Sequence, residues 1–351
     1  MMKHGCKKSS VSKCHDDGNQ KLIAAIGCLG RFIRMIKKSC LSWTFISVVC
    51  VIIMLEVGFR LMSTRLSSNV QHISEIPGVA VEISEARDDV DETVLVMGNS
   101  LIGNAVDINK LEKALSQASS KQFAAYKVVP DSTSLWDWNC ITKHNFAASQ
   151  DSPDTIIIGF AWGQLYNKKE IRPSRLAAYF CTVPDLLDLY QLGMRRSSDV
   201  LEYLVASTSR LYAMREVIQK RVLDLIIYGY RSNVRYMNAV VREVSHTSEL
   251  DTQPENDYSL LLKYLEIISE NNIRPIFVAM PVLKDYELKP EVIHLIEENG
   301  GVFFDMRYMA GISKDMFIDP IHLGAVGSNV FTMNLSNAIS VQHGKSKGVS
   351  R

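Results

Sequence analysis

A serine in a turn and an Asp-x-x-His near the far end of the chain supply the parts of an acyl-transfer site. The serine is Ser100, in Gly98-Asn99-Ser100-Leu101, directly after the apolar run Thr93–Met97. The pair is Asp319 and His322, in Asp319-Pro320-Ile321-His322-Leu323-Gly324. A serine hydroxyl is a poor nucleophile at neutral pH, so an imidazole must take its proton. A carboxylate must then fix the imidazole tautomer and stabilise the imidazolium. Ser100 as nucleophile, His322 as general base and then acid, and Asp319 as the orienting group predict an ester hydrolase or acyltransferase. That chemistry calls for no cofactor. No Cys-x-x-Cys pair occurs, so no metal site is expected.

These residues need elements that bring them to one place. Short, nearly continuous apolar runs at Thr93–Met97, Ala124–Val129, Thr155–Ile158, Pro275–Met280 and Val302–Phe304 predict five parallel strands covered on both faces. Helical patterns lie between them at Ile108–Leu115, Ser134–Asn145, Tyr258–Ile268 and Val292–Glu298. Asp107 or Asn109, and Ser134, are candidate N-caps. The alternation predicts an α/β three-layer sandwich around a five-stranded parallel sheet. Ser100 follows the first strand. His322 follows the last by a loop and opens a final helix, Ala325–Ile339. Ligands in such sheets bind at the carboxyl ends of the strands, so both reach the same rim.

One stretch breaks the alternation. From about 165 to 253 no strand appears, and Val183–Leu192, Asp199–Val205 and Leu211–Tyr228 read as helices. A helical insertion after the third strand is expected. It carries Arg172, Arg175, Arg195, Arg196, Arg210, Arg215, Lys220, Arg221, Arg231 and Arg235. Those charges fit a solvated helix face or a contact with an anionic polymer or lipid headgroups.

The whole domain, 91–342, follows a distinctive lead. Residues 1–40 are basic, and residues 41–62 form an apolar run broken by Glu56 and Arg60. With those two charges reaching for headgroups, the run has the length of a single transmembrane anchor. The basic excess before it places the N-terminus in the cytoplasm and the remainder outside the plasma or inner membrane. Residues 21–38 could lie on the inner leaflet as an amphipathic helix. Residues 63–90 read as a polar stalk, and 343–351 as a disordered tail. The 351 residues carry a formal net charge of +1, which argues against nucleic acid as a partner. Cys140 and Cys181 are the two cysteines of the outer domain. They form either a disulfide or two buried thiols.

Other chemistry-bearing residues read as structural. His144, His246 and His294 have no partner at ligand spacing. Trp136, Trp138 and Trp162 are expected in the core, with Trp162 placed past a strand end where a sugar could stack. Asp305 and Arg307 are expected to pair at the rim. Asn99 can fix its own turn or point into the site.

With these motifs in place, the chain resembles the SGNH (GDSL-like) hydrolase superfamily over residues 91 to 340. Gly98-Asn99-Ser100 is similar to the first block of that family and Asp319-x-x-His322 to its last. The resemblance implies a flavodoxin-like parallel sheet and a Ser100–His322–Asp319 triad. It also implies an oxyanion hole from the Ser100 N–H, a glycine after the second strand and an asparagine after the third. The middle blocks depart from this pattern. Val128-Val129-Pro130-Asp131-Ser132-Thr133 contains no glycine, and Ala161 stands at the asparagine position in Gly159-Phe160-Ala161-Trp162. Ser132 N–H, Gln164 and Asn167 are candidate replacement donors. The combination resembles the membrane-tethered SGNH proteins that help acylate cell-surface polymers, such as teichoic acid and alginate-type polysaccharides. This implies an acylated polysaccharide or acyl donor as ligand, and a multi-spanning membrane acyltransferase as partner. A catalytically degenerate module that binds glycan or scaffolds such a complex is the alternative expectation.

Overall fold

A computed structural model describes residues 43–62, 67–119, 121–147, 152–166, 171–230, 232–234 and 257–348. The predicted basic segment 1–40, Asn167, the end of the insertion beyond 234, and 349–351 lie outside the described residues. The chain divides into two units, Met1–Phe59 and Arg60–Arg351. Helix α1, Trp43–Met62, begins in the first. Phe45, Val48, Ile52, Ile53 and Met54 are all exposed on it. Among the described residues no helix is long and apolar enough to cross a membrane; the side chains described on α1 run from Phe45 to Leu61.

The second unit is an α/β domain on a five-stranded parallel sheet. Its strands are β1 (Glu92–Met97), β2 (Phe123–Val128), β3 (Thr155–Phe160), β4 (Arg274–Ala279) and β5 (Val302–Asp305), in the order β2-β1-β3-β4-β5. Every residue of β1 and β3 is buried, whereas β5 is only partly covered. This is why the central runs are apolar without alternation. The order reverses between β1 and β3, which pair from Val94↔Thr155 to Met97↔Ile158. Such a reversal opens a crevice at the carboxyl ends of the two strands.

Helices cover the sheet in two groups. Helix α2 is Ser68–Ala86, α3 Ser100–Ala105, α4 Ile108–Ser119 and α5 Leu135–Ile141. Residues 68–86, expected within a polar stalk, are therefore a packed helix of the domain. α2 buries Val70, Ile73, Ile76, Ala80 and Ile83, an apolar stripe at helical spacing that the surrounding acidic residues masked. Asp107 accepts the Lys110 N–H at 3.3 Å and caps α4, and Ser134 caps α5 in a box with Asp137.

Between β3 and β4 lies the helical insertion. It comprises a turn at Pro173–Arg175 continuing as a π-helix at Leu176–Phe180, then α6 (Leu186–Gln191), α7 (Ser197–Thr208) and α8 (Arg215–Ile226). Several of its arginines turn inward. Arg215 pairs with Glu202 at 2.7 Å, Arg210 lies 4.5 Å over the Tyr179 ring, and Arg175 faces the buried Asp137 at 3.7 Å. These three side chains are engaged within the domain, where the sequence left open a solvated helix face or an anionic contact. A disulfide joins Cys140 on α5 to Cys181 on the insertion, resolving the two alternatives. Then come α9 (Ser259–Glu270), α10 (Pro290–Glu298) and α11 (Ala325–Gly348). The predicted tail thus begins inside a helix.

Asp185 holds the insertion to the body. It is 3% exposed. It accepts from Lys143 Nζ at 2.6 Å, Thr182 N–H at 2.6 Å and the His144 ring at 2.7 Å. Burial alone raises this carboxyl, but the hydrogen bonds from Lys143, Thr182 and His144 outweigh it and bring it down to about 2. A depressed folded-state value stabilises above the unfolded value and is lost as pH falls through the folded one. Asp185→Asn should therefore cost about 2 kcal/mol at pH 7, and the gap should close between about pH 4 and pH 2. Urea unfolding across that range checks this; a gap that persists at pH 2 contradicts it.

Candidate active site

Ser100 stands at the start of α3 because the chain turns sharply out of β1. Asn99 makes the turn. Its Oδ1 accepts the Leu101 N–H at 3.0 Å, and its Nδ2 donates to Thr133 O at 3.2 Å. Asn99 is buried and its amide serves this turn, which corrects its placement among oxyanion or substrate candidates. Two glycines let α3 lie against β3. A Cβ on Gly98 would meet Ile102 Cγ2 at 2.6 Å, and one on Gly159 would meet Ile102 Cβ at 2.5 Å. Lys127 Nζ closes the other end of α3, donating to the carbonyls of Gly103 and Val106 at 3.2 Å each.

The loop after β5 brings the other two residues. Phe317 and Leu323 form an antiparallel bridge, with Ile318 N–H donating to His322 O at 2.9 Å and Gly324 N–H to Met316 O at 2.7 Å. Asp319 sits at the tip. Its Oδ1 accepts the N–H groups of Ile321 and His322, both at 2.9 Å. A three-residue spacing on a tight turn thus aims the carboxylate at the imidazole. Asp319 Oδ2 lies 2.7 Å from His322 Nδ1, and His322 Nε2 lies 2.9 Å from Ser100 Oγ. The structure brings together all three residues that the sequence singles out. α11 fixes the distance, since its Thr332 hydroxyl accepts the Asp107 N–H at 3.0 Å and donates within α11 to Ser328 O.

The electrostatics suit a base. Burial raises the Asp319 carboxyl, but the His322 ring and the two backbone N–H groups outweigh it and hold Asp319 below its ordinary value. Asp319 therefore stays ionised and takes the Nδ1 proton as a hydrogen bond, leaving Nε2 to accept from Ser100.

The oxyanion candidates fall differently. Ser100 N–H opens α3 and has no intrahelical acceptor. Ser132 has a φ of 56°, the left-handed region that favours glycine. That is the backbone shape a glycine would supply after the second strand, and a serine adopts it at a cost of about 1 kcal/mol. Its loop is tied to the nucleophile turn: the Thr133 hydroxyl donates to Gly98 O at 2.6 Å and accepts from Trp138 Nε1 at 3.0 Å. Ala161 is fully buried, and its N–H donates to Gln164 Oε1 at 3.0 Å. Gln164 is thereby fixed beside the end of β3 with its Nε2 left to donate. Trp162 (φ 49°) is half-buried, its ring 5.7 Å from that of Tyr286. Trp136 and Trp138 lie in the core, and Asp305 and Arg307 pair at 2.6 Å.

Sequence reasoning missed Thr133, Asp137 and Arg175, which shape this loop. Ser134-x-x-Asp137 was visible as a capping pattern. The reach of Arg175 was not, since it joins segments 44 residues apart. No family model matches this chain, and no curated protein matches it either.

Asn99→Ala removes an N-cap and the bond to Thr133. It should cost at least about 1 kcal/mol by thermal or urea unfolding, against less than about 0.5 kcal/mol for an exposed control such as Ser198→Ala. Equal effects would deny Asn99 its role in the turn.

Proposed function

We propose that this chain is a serine esterase or O-acyltransferase, tethered to a membrane by residues 41–62 and acting on an exported cell-surface polysaccharide. The observation that supports the catalytic part is the continuous hydrogen-bonded chain in which Ser100 Oγ lies 2.9 Å from His322 Nε2 and His322 Nδ1 lies 2.7 Å from Asp319 Oδ2. Ser100 Oγ attacks the ester carbonyl carbon as its proton passes to His322 Nε2. The tetrahedral oxyanion is held by the Ser100 and Ser132 N–H groups and by Gln164 Nε2. It collapses with loss of the alcohol, which takes the proton from His322. Water or a polymer hydroxyl then attacks the acyl-serine, gives its proton to His322, and Ser100 is regenerated.

Location and acceptor rest on other support. The apolar side chains of α1 are exposed around the helix, and basic residues precede it in the sequence. The Cys140–Cys181 disulfide fits an oxidising compartment beyond the cytoplasm. The resemblance to membrane-tethered SGNH proteins directs the choice of a polysaccharide acceptor and of a multi-spanning membrane acyltransferase as partner. The second reading is a catalytically silent module that binds glycan or scaffolds such a complex. Ala161, with no amide to offer, favours it.

A fluorophosphonate should label the folded wild type at Ser100 by mass spectrometry. Ser100→Ala should abolish the label and lower turnover of a simple acetyl ester by at least about 10³-fold. A folded wild type that takes no label sinks the enzyme reading and leaves the binding module standing.

A further inference from the structure

The loop after β2 is held by its carbonyls from the helical insertion. Arg175 Nη2 donates to Asp131 O at 2.6 Å, and Arg172 Nη1 donates to Ser132 O at 3.4 Å. From the other side, α2 holds the loop by its N–H groups. His72 Nε2 accepts the Val129 N–H at 3.1 Å, and Asn69 Oδ1 accepts the Asp131 N–H at 2.8 Å. Ser134 N–H goes to Asp137 at 2.8 Å. Among the described residues, the N–H groups of Ser132 and Thr133 are the donors of this loop left without a partner.

These are the N–H groups on the far side of the two peptide planes that the arginines grip. The Asp131 carbonyl and the Ser132 N–H belong to one peptide unit, and in a trans peptide they point in opposite directions. A guanidinium on the carbonyl therefore sets the direction of the N–H. It also withdraws charge through the amide, which makes the N–H a stronger donor. Arg175 itself is held for this. Its side chain is largely buried against Asp137, 3.7 Å away, and lies 5.5 Å over the Phe180 ring.

We propose that Arg175 is a positioning residue that aims and strengthens the Ser132 N–H as an oxyanion donor. The helical insertion is thereby part of the catalytic apparatus rather than a cover over it. The proposal rests on the acyl-enzyme reading above, and it accounts for a serine doing the work of a glycine. The insertion supplies from outside the loop the hold that keeps a left-handed serine in place.

The test is the kinetics of Ser100 phosphonylation by a fluorophosphonate on the full chain. Arg175→Met should lower the limiting rate about tenfold, a fraction of the loss from deleting a donor outright. The probe concentration for half-maximal rate should stay unchanged, and Arg175→Lys should restore most of the rate. A merely structural role would lower the melting temperature and leave the limiting rate of the folded fraction at the wild-type value; that result overturns the proposal. If Arg175→Met does not fold, Arg175→Gln takes its place. A limiting rate lowered threefold or more supports the proposal, and an unchanged rate overturns it. A wild type that takes no label overturns the acyl-enzyme reading and this inference together. A labelled wild type with an indifferent Arg175→Met overturns this inference alone.

Discussion

The close approach of α3 to β3 is the constraint on which the site depends. Ser100 can face His322 only if the helix it opens lies flat against the neighbouring strand. Gly98 and Gly159 leave the room that the Ile102 side chain fills. A methyl group at either position would collide at 2.6 Å or less, and the nucleophile turn would move. The reversal of strand order between β1 and β3 makes this gap the natural crevice of the sheet. The Gly-Asn-Ser string is thus a packing motif as much as a chemical one.

Around that contact the site is built from backbone groups fixed by side chains. Asn99 holds the turn of α3, Asp319 gathers two N–H groups of its own loop, and Thr133 joins the loop after β2 to Gly98 O. Each bond is buried or half-buried, where an unmade partner would cost about 1–3 kcal/mol. The loop that carries Asp319 and His322 is further held by Leu283 N–H, which donates to Pro320 O at 2.9 Å from the segment after β4. The side chains of Ser100, Asp319 and His322 therefore inherit their positions from secondary structure and do not depend on long, mobile connections.

The helical insertion and α2 together hold the loop after β2 in its left-handed turn. Where a glycine would adopt a left-handed turn freely, Ser132 adopts it under restraint from Asn69, His72, Arg172 and Arg175. These partners lie tens of residues away on both sides. Asp185 and the Cys140–Cys181 disulfide secure the insertion that carries two of them.

Much of this was legible in the residues themselves. Apolar runs marked the five strands to within two residues, and the spacing of Asp319 and His322 announced a carboxylate–imidazole pair, because both features are local. The fates of Asn99, Arg175 and α2 were not legible. Asn99 could bond its own turn or the substrate with equal ease, an arginine in a basic stretch carries no mark of its partner, and α2 hid an apolar stripe among acidic residues. By itself the sequence determined which groups could do acyl chemistry and which strands would present them, since side-chain type and periodicity are properties of short segments. Tertiary structure alone decided that Ser100 Oγ and His322 Nε2 stand 2.9 Å apart across 222 residues, and which polar groups are used up in holding them there. Distances between remote segments are set by packing, and packing is a property of the whole fold.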